Sequence, residues 1–132
     1  MNLAFQKYQQ SSVQTASPGQ LIIMLYDGAI RFTKQGIVAI NDKQYELANK
    51  SLVRAQAIIN ELTAALDHKY PISKELARLY EYMNYKLIQA NIRKNAEDAE
   101  EIIGHLTELR DTWKECIRIV GSGEAVQQEV SL

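Results

Sequence analysis

Residues 21–26 read Leu21-Ile22-Ile23-Met24-Leu25-Tyr26, six apolar positions without a break. Ser17-Pro18 opens the stretch, and Ala29, Ile30, Phe32, Ile37 and Val38 continue it. Serine is a good N-cap and proline suits the first helical position, so the run starts a helix at about residue 18. Successive helical residues turn by about 100°. Six apolar positions in a row therefore face every side of the cylinder, whereas a bundle helix buries only a stripe or a broad arc. Either this helix is central to the core, or part of it awaits a partner. That alternative decides both the fold and the function.

Outward from this stretch, the same punctuation recurs. The first helix runs from about 18 to 40. Asn41-Asp42 breaks it and caps a second, from about 43 to 67. Asp67-His68-Lys69-Tyr70-Pro71 is a loop, and Ser73 caps a third helix from about 74 to 93. Asn95 caps a fourth, from about 96 to 120, with Glu97, Asp98, Glu100 and Glu101 in the first turns, where the helix dipole favours acids. Gly121-Ser122-Gly123 ends it. No segment alternates with a period of two, so strands are not expected. Short loops make successive helices antiparallel neighbours. The expected fold is all-α: an antiparallel four-helix bundle over 17–121. A Gln- and Ser-rich N-terminal arm over 1–16, flexible or weakly helical, precedes it, and a polar, disordered tail over 122–132 follows.

The composition narrows the chemistry. At 132 residues the chain is one domain, with 46% apolar and 23% charged residues, a globular balance. The net charge of −1, with Lys and Arg dispersed among acids along the chain, carries no nucleic-acid footprint. No apolar run is long enough for a spanning helix, so no membrane insertion is expected. The first ten residues lack the basic-then-apolar pattern of a secretion signal. A single cysteine, Cys116, forms no internal disulfide and fits a reducing cytoplasm. It falls on or beside the apolar stripe of the fourth helix, where cysteines are usually inert. Glycine-rich phosphate loops, nucleophile elbows and zinc spacings are all missing. The histidines are His68 and His105. A di-iron bundle needs Glu-x-x-His on two helices. Here the one such pair, Glu101 and His105, is four apart, and helix one has no glutamate. Neither enzyme chemistry, nor a cofactor, nor a metal site is expected.

What remains is surplus apolar surface. Helix four has one clean stripe: Ala99, Ile102, Leu106, Leu109, Trp113, Ile117 and Val120. Helix three has a core stripe through Leu76, Leu79, Tyr80, Met83, Leu87 and Ala90, with Tyr85, Ile88 and Ile92 on roughly the opposite side. Helix one carries Leu21, Leu25, Gly28, Ala29, Phe32 and Gly36 on one line and Ile23, Tyr26, Ile30 and Ile37 on another. Helix two has Tyr45, Leu52, Ile59, Leu62 and Leu66 as core and a thinner line through Leu47, Ile58 and Ala65. A helix touching two neighbours needs a wide arc, and that reading absorbs the second line of helix one as readily as a groove does. Tyr85, Ile88 and Ile92 are harder to absorb, and an exposed apolar groove marks an interaction site that a partner helix fits. Phe5 and Tyr8, in the polar arm, either cover such a groove or pack statically on the bundle. Asp27, an acid inside the apolar run, is expected in solvent, with a hydrogen bond to the arm or to a partner's backbone as the functional option.

Several stretches, in order and spacing, resemble the FliS family of flagellar secretion chaperones. They are Tyr8-Gln9, Ser12-Val13, Thr15 to Leu21, Met24-Leu25-Tyr26-Asp27-Gly28-Ala29-Ile30, KSLVRAQAIINEL over 50–62, LYEYMNYKLIQAN over 79–91 and LRDTWKE over 109–115. The likeness covers about residues 8–118 and departs at Lys69-Tyr70-Pro71-Ile72. It implies a cytoplasmic export chaperone that holds the C-terminal segment of flagellin one-to-one and blocks premature polymerisation. Delivery to a component of the flagellar type III export gate is implied with it, as is an arm whose Tyr8 occupies the empty client groove. The partner-binding candidates are then Phe5, Tyr8, Ile23, Tyr26, Ile30, Ile37, Leu47, Ile58, Tyr85, Ile88 and Ile92. The alternative is a self-associating adaptor or regulatory bundle that pairs the same faces in a homodimer, which is also how the free chaperone could cover them.

Overall fold

The computed structural model describes residues 17–122, which form α1 (Pro18–Asn41), α2 (Tyr45–Ala64), α3 (Ile72–Arg93) and α4 (Ala96–Ser122). No strand occurs among the described residues. Ser17 caps α1 as its sequence predicts: its hydroxyl accepts from the Gln20 N–H at 3.2 Å, and the Gln20 side chain accepts from the Ser17 N–H at 3.0 Å. Asn95 caps α4, accepting from the Glu97 N–H at 2.9 Å. Two expected caps differ. Lys43 turns the chain at φ 59°, so α2 begins after Gln44, which makes no side-chain cap, and Asp42 serves only to end α1. Ser73 lies inside the first turn of α3, buried, because Pro71 already starts the winding.

Cross-helix contacts fix the topology. Gly28 and Gly36 of α1 face Ile58 and Leu52 of α2 in reversed order. Asn60 and Asn49 of α2 meet Asn84 and Asn91 of α3, reversed again. Lys86 and Tyr82 of α3 reach Asp98 and Glu101 of α4, and Gly19 and Asp27 of α1 face Ile117 and Arg110 of α4. Every neighbouring pair is antiparallel, and α1 and α3 stand diagonally across the ring. Across that diagonal the Tyr26 and Tyr80 hydroxyls lie 2.5 Å apart and share a buried hydrogen bond. Ala29, Leu52, Ile59, Met83, Leu87, Ile102 and Leu106 fill the single core around them.

This arrangement sorts the ambiguous stripes. Tyr26 is 0% and Ile30 5% exposed, so neither lies on an open face, contrary to expectation. Ile37 packs against the core and Ile23 is half-buried. The reason is that α1 has a neighbour on each side: α2 packs at Gly28 and Gly36, α4 at Gly19 and Asp27. Both of its apolar lines are therefore used. Tyr45, expected in the core, is about half exposed at the first turn of α2. Cys116 and Val120 are exposed although they continue the α4 stripe, because only the start of α1 reaches that end of α4. Asp27, expected in solvent, keeps a side chain 45% exposed, and its carboxylate also accepts from the Arg110 guanidinium at 3.1 Å. None of the described helices is long and apolar enough to cross a membrane.

Candidate functional site

The α3 helix carries three different flanks outside its core stripe. Toward α4 it is polar. Lys86 pairs with Asp98 at 2.9 Å and Glu101 at 3.4 Å, the Tyr82 hydroxyl donates to Glu101 at 2.5 Å, and His105 Nε2 lies 3.2 Å from the same carboxylate. The Tyr82 and His105 rings meet edge to face at 6.1 Å. The Tyr82 hydrogen bond holds Glu101 below the usual carboxylate range, and Asp98 holds Lys86 above the usual amine range. These groups satisfy one another, which closes the α3–α4 seam.

Toward α2 the seam is closed by amides. Asn84 donates to Asn60, and Asn91 to Asn49, each at 2.8 Å. The remaining oxygen of Asn84 is buried and has no hydrogen-bond partner. Beyond these amides the outer flank of α3 is apolar and open. Tyr85 is 57%, Ile88 40% and Ile92 71% exposed, although they lie at helical spacing on one side. Tyr85 and Ile88 line a groove of about 480 Å³ with Ala77, Glu81 and Asn84 of α3 and Asn60 and Thr63 of α2. Single exposed apolar residues need no explanation, but three aligned on one helix flank, two of them in a groove, do.

The other candidates fall elsewhere. Ile58 is half-buried, its methyl 3.1 Å from where a Cβ on Gly28 would stand. Leu47 is open, but it lines a separate groove near the α1–α2 turn with Val38. Phe5 and Tyr8 lie outside the described residues. The structure thus brings Tyr85, Ile88 and Ile92 together and separates them from the α1 and α2 candidates. Sequence reasoning missed Val53, about half exposed on α2. Spacing alone did not show it: Val53 is four residues from Asn49 and seven from Asn60, and only the structure's hydrogen bonds place that flank of α2 against α3. Among the described residues no group of His, Cys, Asp or Glu side chains is placed to hold a metal ion.

An open apolar flank on a four-helix ring is a surface suited to binding, and comparison with known proteins shows the family. The family model "Flagellar protein FliS" matches residues 1–120. The chain belongs to the FliS family. It is 40% identical over 111 residues to the flagellar secretion chaperone FliS of Bacillus subtilis, covering 84% of each chain. The chaperone of the same name from Salmonella typhimurium is 37% identical over 109 residues, 80% of this chain and 81% of that one. That of Campylobacter jejuni is 33% identical over 129 residues, 96% and 98% of the two chains. FliS relatives carry a chaperone's name, and chaperones are not a class of enzyme. The likeness spans nearly all of the described bundle, so the open flank of α3 lies within the region shared with FliS proteins.

Proposed function

We propose that this FliS-family chain is a cytoplasmic export chaperone whose client is the C-terminal segment of flagellin, held one-to-one until it reaches the flagellar type III export gate. The observation that carries the reading is the α2–α3 flank: Tyr85, Ile88 and Ile92 in line and all exposed, the first two lining a groove of about 480 Å³. An amphipathic segment folding into that groove would lay apolar anchors on the three side chains.

Coupled folding and binding of this kind can bury roughly 1,000–3,000 Å², against an ordering cost of about 2–5 kcal/mol or more. At about 25 cal/mol per Å² the gross gain covers that cost, while lost rigid-body freedom keeps the net affinity moderate. Release is then a matter of competition for the groove, since the sequence has no phosphate-binding loop.

Titration of the chain with a flagellin C-terminal peptide tests this. The expected result is one-to-one binding by calorimetry with a gain in helical circular dichroism. Absence of both at micromolar concentrations would count against the assignment. Light scattering over a dilution series separates the alternative. A constitutive dimer that covers Tyr85, Ile88 and Ile92 would leave no place for the client.

A further inference from the structure

The cations of the first two helices are dispersed in sequence and gathered in space. Arg31 and Arg54, from α1 and α2, both stack on the Phe32 ring, at 4.9 and 5.4 Å from its centroid. The Arg31 guanidinium also reaches across to the α1–α2 seam, 4.0 Å from where a Cβ on Gly28 would stand and beside Ile58. Two guanidiniums on one ring repel, yet neither has an ion pair or a side-chain hydrogen bond among the described residues. Further along the same seam, Lys34 flanks a groove of about 370 Å³ walled by Val38, Ala39 and Leu47, and Lys50 lines the adjoining hollow beside Leu47. Val38 is 59% exposed. Acids border this face without contacting the stacked pair: Asp27 is held by Arg110, and Glu46, at the edge of the hollow, and Glu61, two turns from Arg54, form no ion pair.

We propose that the α1–α2 seam is a second docking surface, and that its partner is an acidic amphipathic helix of another protein. Guanidinium groups fixed by stacking present planar forks that take carboxylates in pairs. The groove between Val38 and Leu47 takes one apolar anchor. Arg31 and Val38 are seven residues apart, about two helical turns, so a partner helix of three to four turns spans both features. Charge complementarity at the stacked pair selects the partner: Arg31 and Arg54 have no carboxylate of their own among the described residues, and an acidic helix supplies one. A nucleic acid fits worse, because the aromatic ring here is already covered by arginines and offers no stacking face. A membrane also fits worse, because the apolar side chains line a groove between helices rather than a continuous outer stripe. The inference does not depend on the α2–α3 flank or its client.

The test is fluorescence anisotropy with a labelled synthetic peptide of about four helical turns, Leu on one stripe and Glu on either side. The full-length chain binds it at low salt, and binding weakens as salt rises. The double variant Arg31→Glu/Arg54→Glu, checked for its fold by circular dichroism, loses at least about tenfold in affinity. Tyr85→Ser binds the acidic peptide as the parent does, which separates the two surfaces. The same holds for a chain ending at Ser122, which lacks Glu124 and Glu129. A sharp rise in peptide affinity on that truncation would make the protein's own tail the occupant and overturn the proposal. So would equal binding of a peptide with Lys in place of Glu, no effect of the arginine substitutions, or tighter binding of an RNA oligonucleotide or a phosphatidylserine vesicle through the same arginines.

Discussion

Tyr26 and Tyr80 show how much one buried contact decides. Their hydroxyls are the polar element of an otherwise apolar diagonal, and burial raises both phenol pKa values above the ordinary 10. The folded state therefore keeps protons that the unfolded chain releases. The associated stability is complete below about pH 10 and declines as pH climbs through the unfolded value toward the raised folded ones. Alkaline denaturation followed by circular dichroism should thus begin near that pH in the parent and be shallower in Tyr26→Phe/Tyr80→Phe. Tyr80→Phe alone should cost about 1–2 kcal/mol in urea, since it strands a buried hydroxyl, and the double variant should recover part of the loss. Asp27 teaches the complementary lesson. Its place inside an apolar run led to the expectation of plain solvent exposure. Its partner, Arg110, is 83 residues away, and local spacing carries no information about it.

Among the elements, the starts of two helices were legible in their caps, Ser17 for α1 and Asn95 for α4, whereas the caps expected for α2 and α3 are not used. The fate of each apolar stripe was not legible. The second stripe of α1 goes inside because α2 and α4 both pack on that helix, and a single sequence does not say which helices are neighbours. Where α1 and α2 pack, contact is tight at Gly36, whose missing Cβ would stand 2.7 Å from a methyl of the fully buried Leu52. Gly36→Ala should therefore destabilise the chain, overpacking of about 1–3 kcal/mol outweighing the gain in helix propensity. Gly104 of α4 has open space where its Cβ would lie. Gly104→Ala should add about 0.5–1 kcal/mol, read as a higher urea midpoint. The polar clasp between α3 and α4 is pH-sensitive in the opposite sense to the tyrosines. The folded pKa of Glu101 is lowered, chiefly by Tyr82, so its contribution is present above the unfolded value near 4.3 and lost as pH falls through the lower folded one. In Glu101→Gln the acid limb of the stability profile should flatten.

At the scale of the whole molecule, four helices enclose one core and leave the flank of α3 unclaimed. The contrast between Ile88 and Leu106 expresses this. Both are aliphatic residues at regular helical positions, yet Leu106 is fully buried and Ile88 is 40% exposed. A charge at Leu106 has no water and no partner, so Leu106→Asp should unfold the chain. A charge at Ile88 can stay solvated, so Ile88→Asp should keep a parent-like urea midpoint. The surplus on α3 was legible in sequence, because Tyr85, Ile88 and Ile92 stand opposite a complete core stripe. The gathering of Arg31 and Arg54 on Phe32 was not, because it needs α1 and α2 side by side. The most direct test of the account is the affinity of folded Ile88→Asp for a flagellin C-terminal peptide, set against the parent chain. A loss of at least about tenfold with the fold intact is expected if the α2–α3 flank holds the client. Parent-like affinity, or an Ile88→Asp chain as unfolded as Leu106→Asp, would contradict it.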